Sequence, residues 1–174
     1  MKKQLMLTAA LLAAQAVFAA APQPQEARIV KQVRTELVTL PSYNLFDTFT
    51  FQVDDGTVTL MGKVTSPTLK SSAENVVKRI EGVKTVNNQI DVLPLSPNDD
   101  RLRVALYQAI YGHTVLQTLA IRAVPPIHII VENGKVTLEG AVANSMQKTI
   151  AGMQANSVPG VFAVTNNLLP DLAL

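Results

Sequence analysis

The sequence predicts an α+β protein of two tandem small αββαβ domains, each a three-stranded mixed sheet with two helices packed on one face. Three observations carry this expectation: a gapless internal repeat, a two-residue hairpin turn in each copy, and an amphipathic helix plus one more strand after each hairpin. The repeat aligns Val53–Val64 with Val131–Val142, an offset of 78 residues, and runs on through Gly82–Asn88 and Gly160–Asn166. Of the 38 residues from 53 to 90, 13 are identical in the second copy. Chance would give about two or three at ordinary residue usage.

The elements follow in order. Ile29, Val33 and Leu37 recur every fourth residue, with Val30 beside them, and make one apolar helical face. Tyr43-Asn44-Leu45-Phe46-Asp47 is a loop with two aromatics, expected to cap the core. Phe49, Phe51 and Val53 alternate with Thr50 and Gln52, the pattern of a strand with one buried face. Asp55-Gly56, and Asn133-Gly134 in the second copy, tolerate the positive φ of a two-residue hairpin turn. The return strand sets Val58, Leu60, Gly62 and Val64 on one face, and Gly62 and Gly140 are expected there to let a helix approach closely. Ser66-Pro67 is an N-cap with a first-turn proline. The helix it opens carries Leu69, Ala73, Val76, Val77 and Ile80 on one stripe, with Gly82 as its C-cap and Gly160 as the counterpart. The last strand, Val86 to Val92, lies parallel to its neighbour through a right-handed crossover. Asn88 and Asn166 fall on its otherwise apolar face, so their amides are expected to bond a neighbouring loop's backbone.

Domain limits follow from composition. Residues 1–19 read as a signal peptide: Lys2 and Lys3, an apolar run from Leu5 to Phe18, and small residues at Ala19 and Ala20 for cleavage. Residues 20–25 read as a disordered leader, 26–93 as the first domain, 94–98 as a proline-bearing linker and 99–170 as the second domain. No transmembrane span is expected once the signal is cleaved, and the location is periplasmic or secreted. The absence of cysteine closes the lipoprotein route and excludes disulfides and thiol chemistry. With 174 residues, 48% hydrophobic and 16% charged, the chain can build packed cores. The formal charge of +2 falls to zero without Lys2 and Lys3, so the mature chain has no bulk attraction to nucleic acid or anionic lipid. Aromatics at 5% and no tryptophan leave little to stack on bases, and no nucleic-acid partner is expected.

The stretch Thr57-Val58-Thr59-Leu60-Met61-Gly62-Lys63-Val64, then an amphipathic helix, then Gly82-Val83-Lys84-Thr85-Val86-Asn87-Asn88-Gln89-Ile90, resembles the BON family (bacterial OsmY and nodulation domains). It recurs at Lys135–Val142 and Gly160–Leu168, and the tandem order is similar to that of OsmY-type periplasmic stress proteins. The resemblance implies an αββαβ fold, an envelope location and binding without catalysis, with phospholipid membranes as the ligand. Related lipoproteins place their lipid-binding surface on the second domain; the missing cysteine means that lipid anchoring does not carry over. The motif residues Gly56, Gly62, Gly82, Asn88, Gly134, Gly140, Gly160 and Asn166 read as architectural.

Catalysis has little to work with. The only histidines are His113 and His128, and no nucleophile, base and orienting group can be named together, so no enzyme, cofactor or metal is expected. His128, between Ile127 and Ile129, reads as a structural residue on a strand's outer face. The differences between the copies are more informative. Thr68, Ser72 and Asn75 become Met146, Ile150 and Met153, while Leu69 and Val76 become Gln147 and Gln154. Either the helix has turned, or a second apolar flank has appeared for lipid or a partner. In the second copy's first helix, Leu102, Ala105, Leu106, Ala109 and Ile110 make a core face, and Val104, Tyr107 and Tyr111 lie on a separate flank near Arg101 and Arg103. Tyrosine beside arginine suits an interfacial lipid contact; the alternative is that both tyrosines cover the core edge. The reading is therefore an envelope protein that binds phospholipid surfaces in osmotic or envelope stress, or, alternatively, a protein-interaction module docking onto an envelope complex.

Overall fold

The computed structural model describes residues 24–170. The expected signal peptide lies outside these residues, as do positions 20–23 of the expected leader. Helix α1 (Pro24–Val38) begins inside that leader, with proline as its first residue, where a missing N–H breaks no helical bond. Its first turn is tied down by Glu26, whose Oε1 accepts from the Asp55 N–H at 3.2 Å. Ile29, Val33 and Leu37 are buried, as their spacing predicts.

Strands β1 (Thr48–Asp54) and β2 (Thr57–Val64) pair antiparallel from Thr48↔Lys63 to Asp54↔Thr57. The turn between them has φ of 41° at Asp55 and 77° at Gly56, the double positive φ of the expected hairpin. Gly62 serves a different purpose from the one its face suggested. Its φ is +126°, and a Cβ there would stand 2.1 Å from the Thr48 carbonyl oxygen, so it admits strand β1 and not a helix. Gly140 repeats this, with φ +119° and the Pro126 oxygen at 1.9 Å.

Helix α2 (Pro67–Val77) is capped by Ser66, whose side chain accepts from the Thr68 N–H, and it buries Leu69, Ala73 and Val77. It stops at Val77; Gly82, expected as its C-cap, sits in the turn beyond with φ +92°. The expected last strand is broken into β3 (Thr85–Asn88) and β4 (Asp91–Val92), both parallel to β2. The register is the same on either side of the break, with Leu60↔Asn88 and Lys63↔Asp91. Asn88 accounts for the break: its Oδ1 accepts from the Ile90 N–H while its Nδ2 donates to the Lys70 carbonyl and to Glu74. The amide thus bonds a carbonyl of helix α2, not a loop as expected, and it pins the strand to the helix. Asn166 does the same on the Lys148 carbonyl at 2.8 Å.

The second domain repeats the plan with α3 (Pro97–Tyr111), β5 (Ile127–Glu132), β6 (Lys135–Val142), α4 (Ser145–Ser157), β7 (Ala163–Asn166) and β8 (Leu169–Pro170). Helix α3 starts within the expected linker, because Ser96 caps it by accepting from the Asp99 N–H and Pro97 follows as its first residue. Each domain packs both helices on one face of its sheet around its own core. The strands repeat at an offset of 78, but the buried faces of the first helices, Ile29-Val33-Leu37 and Leu102-Leu106-Ile110, repeat at 73. The five extra residues fall in the connection from α3 to β5, which holds a 3-10 helix at Gln117–Ile121.

The loop from Tyr43 to Asp47 caps both domains: Tyr43 packs on the core of its own domain, as expected, and the rest of the loop reaches the other. Leu45 and Phe46 pack against the core of the second domain, and the Ile129 N–H donates to the Leu45 carbonyl at 2.8 Å. Thr48 Oγ1 donates to Glu139 at 2.8 Å, and Lys63 pairs with Glu132. The open face of each sheet thereby turns toward the other domain, which buries Ile130 on the outer side of β5.

Candidate functional site

The helix α3 flank divides in two. Arg103 is 6% exposed and Tyr111 4% exposed, and both are turned onto the outer edge of β5. The Tyr111 hydroxyl donates to the Ile127 carbonyl at 2.8 Å and accepts from the Ile127 N–H at 3.0 Å. Arg103 donates to the Val131 carbonyl at 2.7 Å and pairs with Asp100. Asp99, fully buried, accepts from the Asn133 and Gly134 N–H groups of the turn at 2.8 and 2.9 Å. With Leu45 bonded to Ile129, this row of groups takes four of the six outward N–H and C=O groups of Ile127, Ile129 and Val131, on an edge strand that would otherwise offer its backbone to another chain. The expectation that Arg103 and Tyr111 contact lipid is therefore corrected: they close a sheet edge from within. Helical spacing alone grouped them with Tyr107, since residues four apart share a flank whatever lies beneath it. Burial pushes the Tyr111 hydroxyl pKa well above its ordinary value. Tyr111→Phe, which leaves both Ile127 groups unpaired, is expected to lower stability by about 2 kcal/mol in urea unfolding.

Arg101, Val104 and Tyr107 remain exposed on α3. On α4, Met146 and Met153 are 59% and 64% exposed, while Ile150 is half-buried against the core. Ala151, Gly152 and Ala155 form the buried face of this helix, so the methionines are a second apolar flank and not a rotated core stripe. The sequence reasoning passed over Phe162, which is 84% exposed at the hairpin end of the domain. Its N–H donates to the Gly134 carbonyl, and at its position in the first copy Lys84 forms an ion pair with Asp55. The replacement of an ion-paired lysine by a bare phenylalanine is visible in the repeat alignment and was the available clue.

His128 lies in the domain interface and not on a free surface. Its Nδ1 is 2.6 Å from the Asp47 carbonyl and so carries the proton, leaving Nε2 to accept from the Tyr43 hydroxyl at 3.4 Å. The Tyr43 ring stacks on both Phe49 and His128, and burial, with Asp47 and Glu139 nearby, pushes its hydroxyl up to about 12. Burial holds the His128 imidazole below its ordinary 6.5, against the opposing pull of the Asp47 carbonyl and Glu139. The folded state thus prefers neutral His128, and the unfolded chain takes up a proton first as pH falls. Stability is expected to be flat above pH 6.5 and to fall as the pH drops through 6.5 toward the lower folded pKa. Thermal melts at pH 7.5, 6.5 and 5.5 check this, and His128→Gln should flatten the dependence.

The geometry defines a tandem of two small α+β domains locked together through the Tyr43–Asp47 loop and the open faces of their sheets. Comparison with known proteins gives the family. The family model for the BON domain matches residues 25–94 and again 98–169, and the chain belongs to the BON domain family. No curated protein matches it. Among solved structures it is similar to CdsD, a structural protein of the type III secretion system of Chlamydia trachomatis, at 18% identity over 83% of this chain and 93% of that one, with a TM-score of 0.30. The C-terminal domain of the same protein is similar at 17% identity over 80% of this chain and 96% of that one, also at a TM-score of 0.30.

Proposed function

We propose that the protein is a non-enzymatic binding protein of the periplasm that associates with phospholipid membrane surfaces in osmotic or envelope stress, through its second domain. The observation that supports this is an asymmetry of exposed apolar surface. Of the ten large apolar side chains exposed among the described residues, seven belong to the second domain. They include Val104 and Tyr107 on α3, Met146 and Met153 on α4, and Phe162. Arg101 stands on the same helix as Tyr107 and supplies a cation for a phosphate headgroup. Among the described residues no helix is long and apolar enough to cross a membrane.

The exposed methionines also favour a second reading, a docking contact for an envelope protein, since their flexible side chains adapt to varied partners. Co-sedimentation with neutral and anionic vesicles at low and high salt separates the two. Lipid association predicts pelleting with anionic vesicles that weakens with salt, is lost in Tyr107→Ser/Met153→Ser/Phe162→Ser, and survives in Tyr111→Phe. No pelleting under any condition would exclude the membrane reading and leave protein docking.

A further inference from the structure

The two domains treat the same sheet edge in opposite ways. In each hairpin, Asp54 or Glu132 closes the two-residue turn and begins the alternation, so Phe49, Phe51 and Val53 on β1, like Ile127, Ile129 and Val131 on β5, aim their N–H and C=O groups away from the partner strand. On β5 four of those groups meet Tyr111, Arg103 and the backbone of Leu45. On β1, among the described residues, the corresponding groups meet nothing. The reason lies on the helix. At the offset of 73 that aligns the buried faces, Arg103 corresponds to Val30 and Tyr111 to Val38. The alignment is supported by chemistry, since Glu26 and Asp99, also 73 apart, both accept from their hairpin turns. Where the second domain has a plug, the first has short aliphatic side chains and a groove of about 380 Å³. Val30, Val38, Tyr43, Phe49 and Phe51 line it, and Arg34 stands at its wall. Arg34 joins none of the ion pairs among the described residues.

We propose that this groove is a strand-addition site for an extended segment of a partner polypeptide, with apolar residues at alternate positions and a carboxylate for Arg34. The structure holds an internal precedent for capture of an outside backbone, because the equivalent edge of the second domain takes the apolar Leu45-Phe46 turn of the first, the Leu45 carbonyl accepting from the Ile129 N–H. The added strand would take the free N–H and C=O groups of Phe49, Phe51 and Val53, set its apolar residues over Val30 and Val38, and leave the open sheet faces undisturbed. The site is on the first domain and does not depend on the membrane reading, which concerns the second.

The test uses the chain from residue 20 onward and a synthetic hexapeptide alternating valine and threonine behind one glutamate. Binding is read by fluorescence polarisation and by amide shifts of Phe49, Phe51 and Val53. Three controls accompany it: the same peptide N-methylated at alternate amides, the same peptide with lysine for glutamate, and the protein variant Val30→Arg/Val38→Tyr, which installs the plug of the second domain. Thermal melting of that variant verifies its fold. The proposal expects binding that shifts those three amides and weakens at least tenfold with each control. Arg34→Glu should reverse the glutamate-over-lysine preference. Absence of binding at millimolar peptide, or binding indifferent to N-methylation and to the plug, would overturn it. So would a concentration-dependent dimer that the plug abolishes, because the occupant would then be a second copy of the chain.

Discussion

Gly140→Ala is expected to unfold the second domain near room temperature. The new Cβ would stand 1.9 Å from the Pro126 carbonyl oxygen, and that oxygen belongs to the backbone entering β5, so no side chain can swing away to make room. The residue also keeps a φ of +119°, which an L side chain rarely adopts. Strain of roughly 1–3 kcal/mol from the dihedral and a similar amount from the overlap add to about 4 kcal/mol, comparable to the whole stability of a small domain. Relief requires β5 to move off β6, and that motion would pull Ile127 from the Tyr111 hydroxyl and Ile129 from Leu45. Loss of amide protection throughout the second domain, from α3 to β7, with protection kept in β1 and β2, is the expected hydrogen-exchange result. A variant that melts like the parent would mean that the chain reaches this geometry by another route.

Asp47→Ala is expected to uncouple the domains as well as destabilise the first. Asp47 is fully buried, and no cation faces it among the described ion pairs. Its Oδ1 accepts from the Thr65 N–H at 2.7 Å and the Thr65 hydroxyl at 2.9 Å, and its Oδ2 from the Asn44 N–H at 3.2 Å. The alanine takes the shared acceptor from three donors at a part-buried site, a loss of about 3 kcal/mol. Those bonds also fix the loop that carries Leu45 and Phe46 into the neighbouring core and presents the Asp47 carbonyl to His128. Calorimetry is expected to show one transition in the parent and two in the variant, the lower belonging to the first domain. A single transition shifted downward would mean that the sheet faces alone hold the domains together.

These two residues mark different degrees of legibility in the sequence. Gly140 was readable as special because Gly62 repeats it at the same strand position, but the pattern gives only the face and not the backbone dihedral, so its neighbour was misassigned. Asp47 gave no pattern at all. It sits in a loop without periodicity, and its donors come from residues 44 and 65, a pairing fixed only once β2 has folded back.

The sequence by itself determined the local and the repeated: the tandem, the helices and strands with their buried faces, the hairpin turns at Asp55-Gly56 and Asn133-Gly134, and the Ser66 cap. These follow from residue spacing and from dihedral preferences, which act over a few positions and are written in the chain. The tertiary structure alone decided which polar side chains are spent on the fold. Arg103 and Tyr111 share a helical flank with Tyr107, yet they are buried because a strand edge with unsatisfied N–H and C=O groups runs beneath them. Val30 and Val38 occupy the matching places in the first domain and leave the same edge bare. The demand for a backbone partner comes from a strand distant in sequence, and helical periodicity carries no record of it.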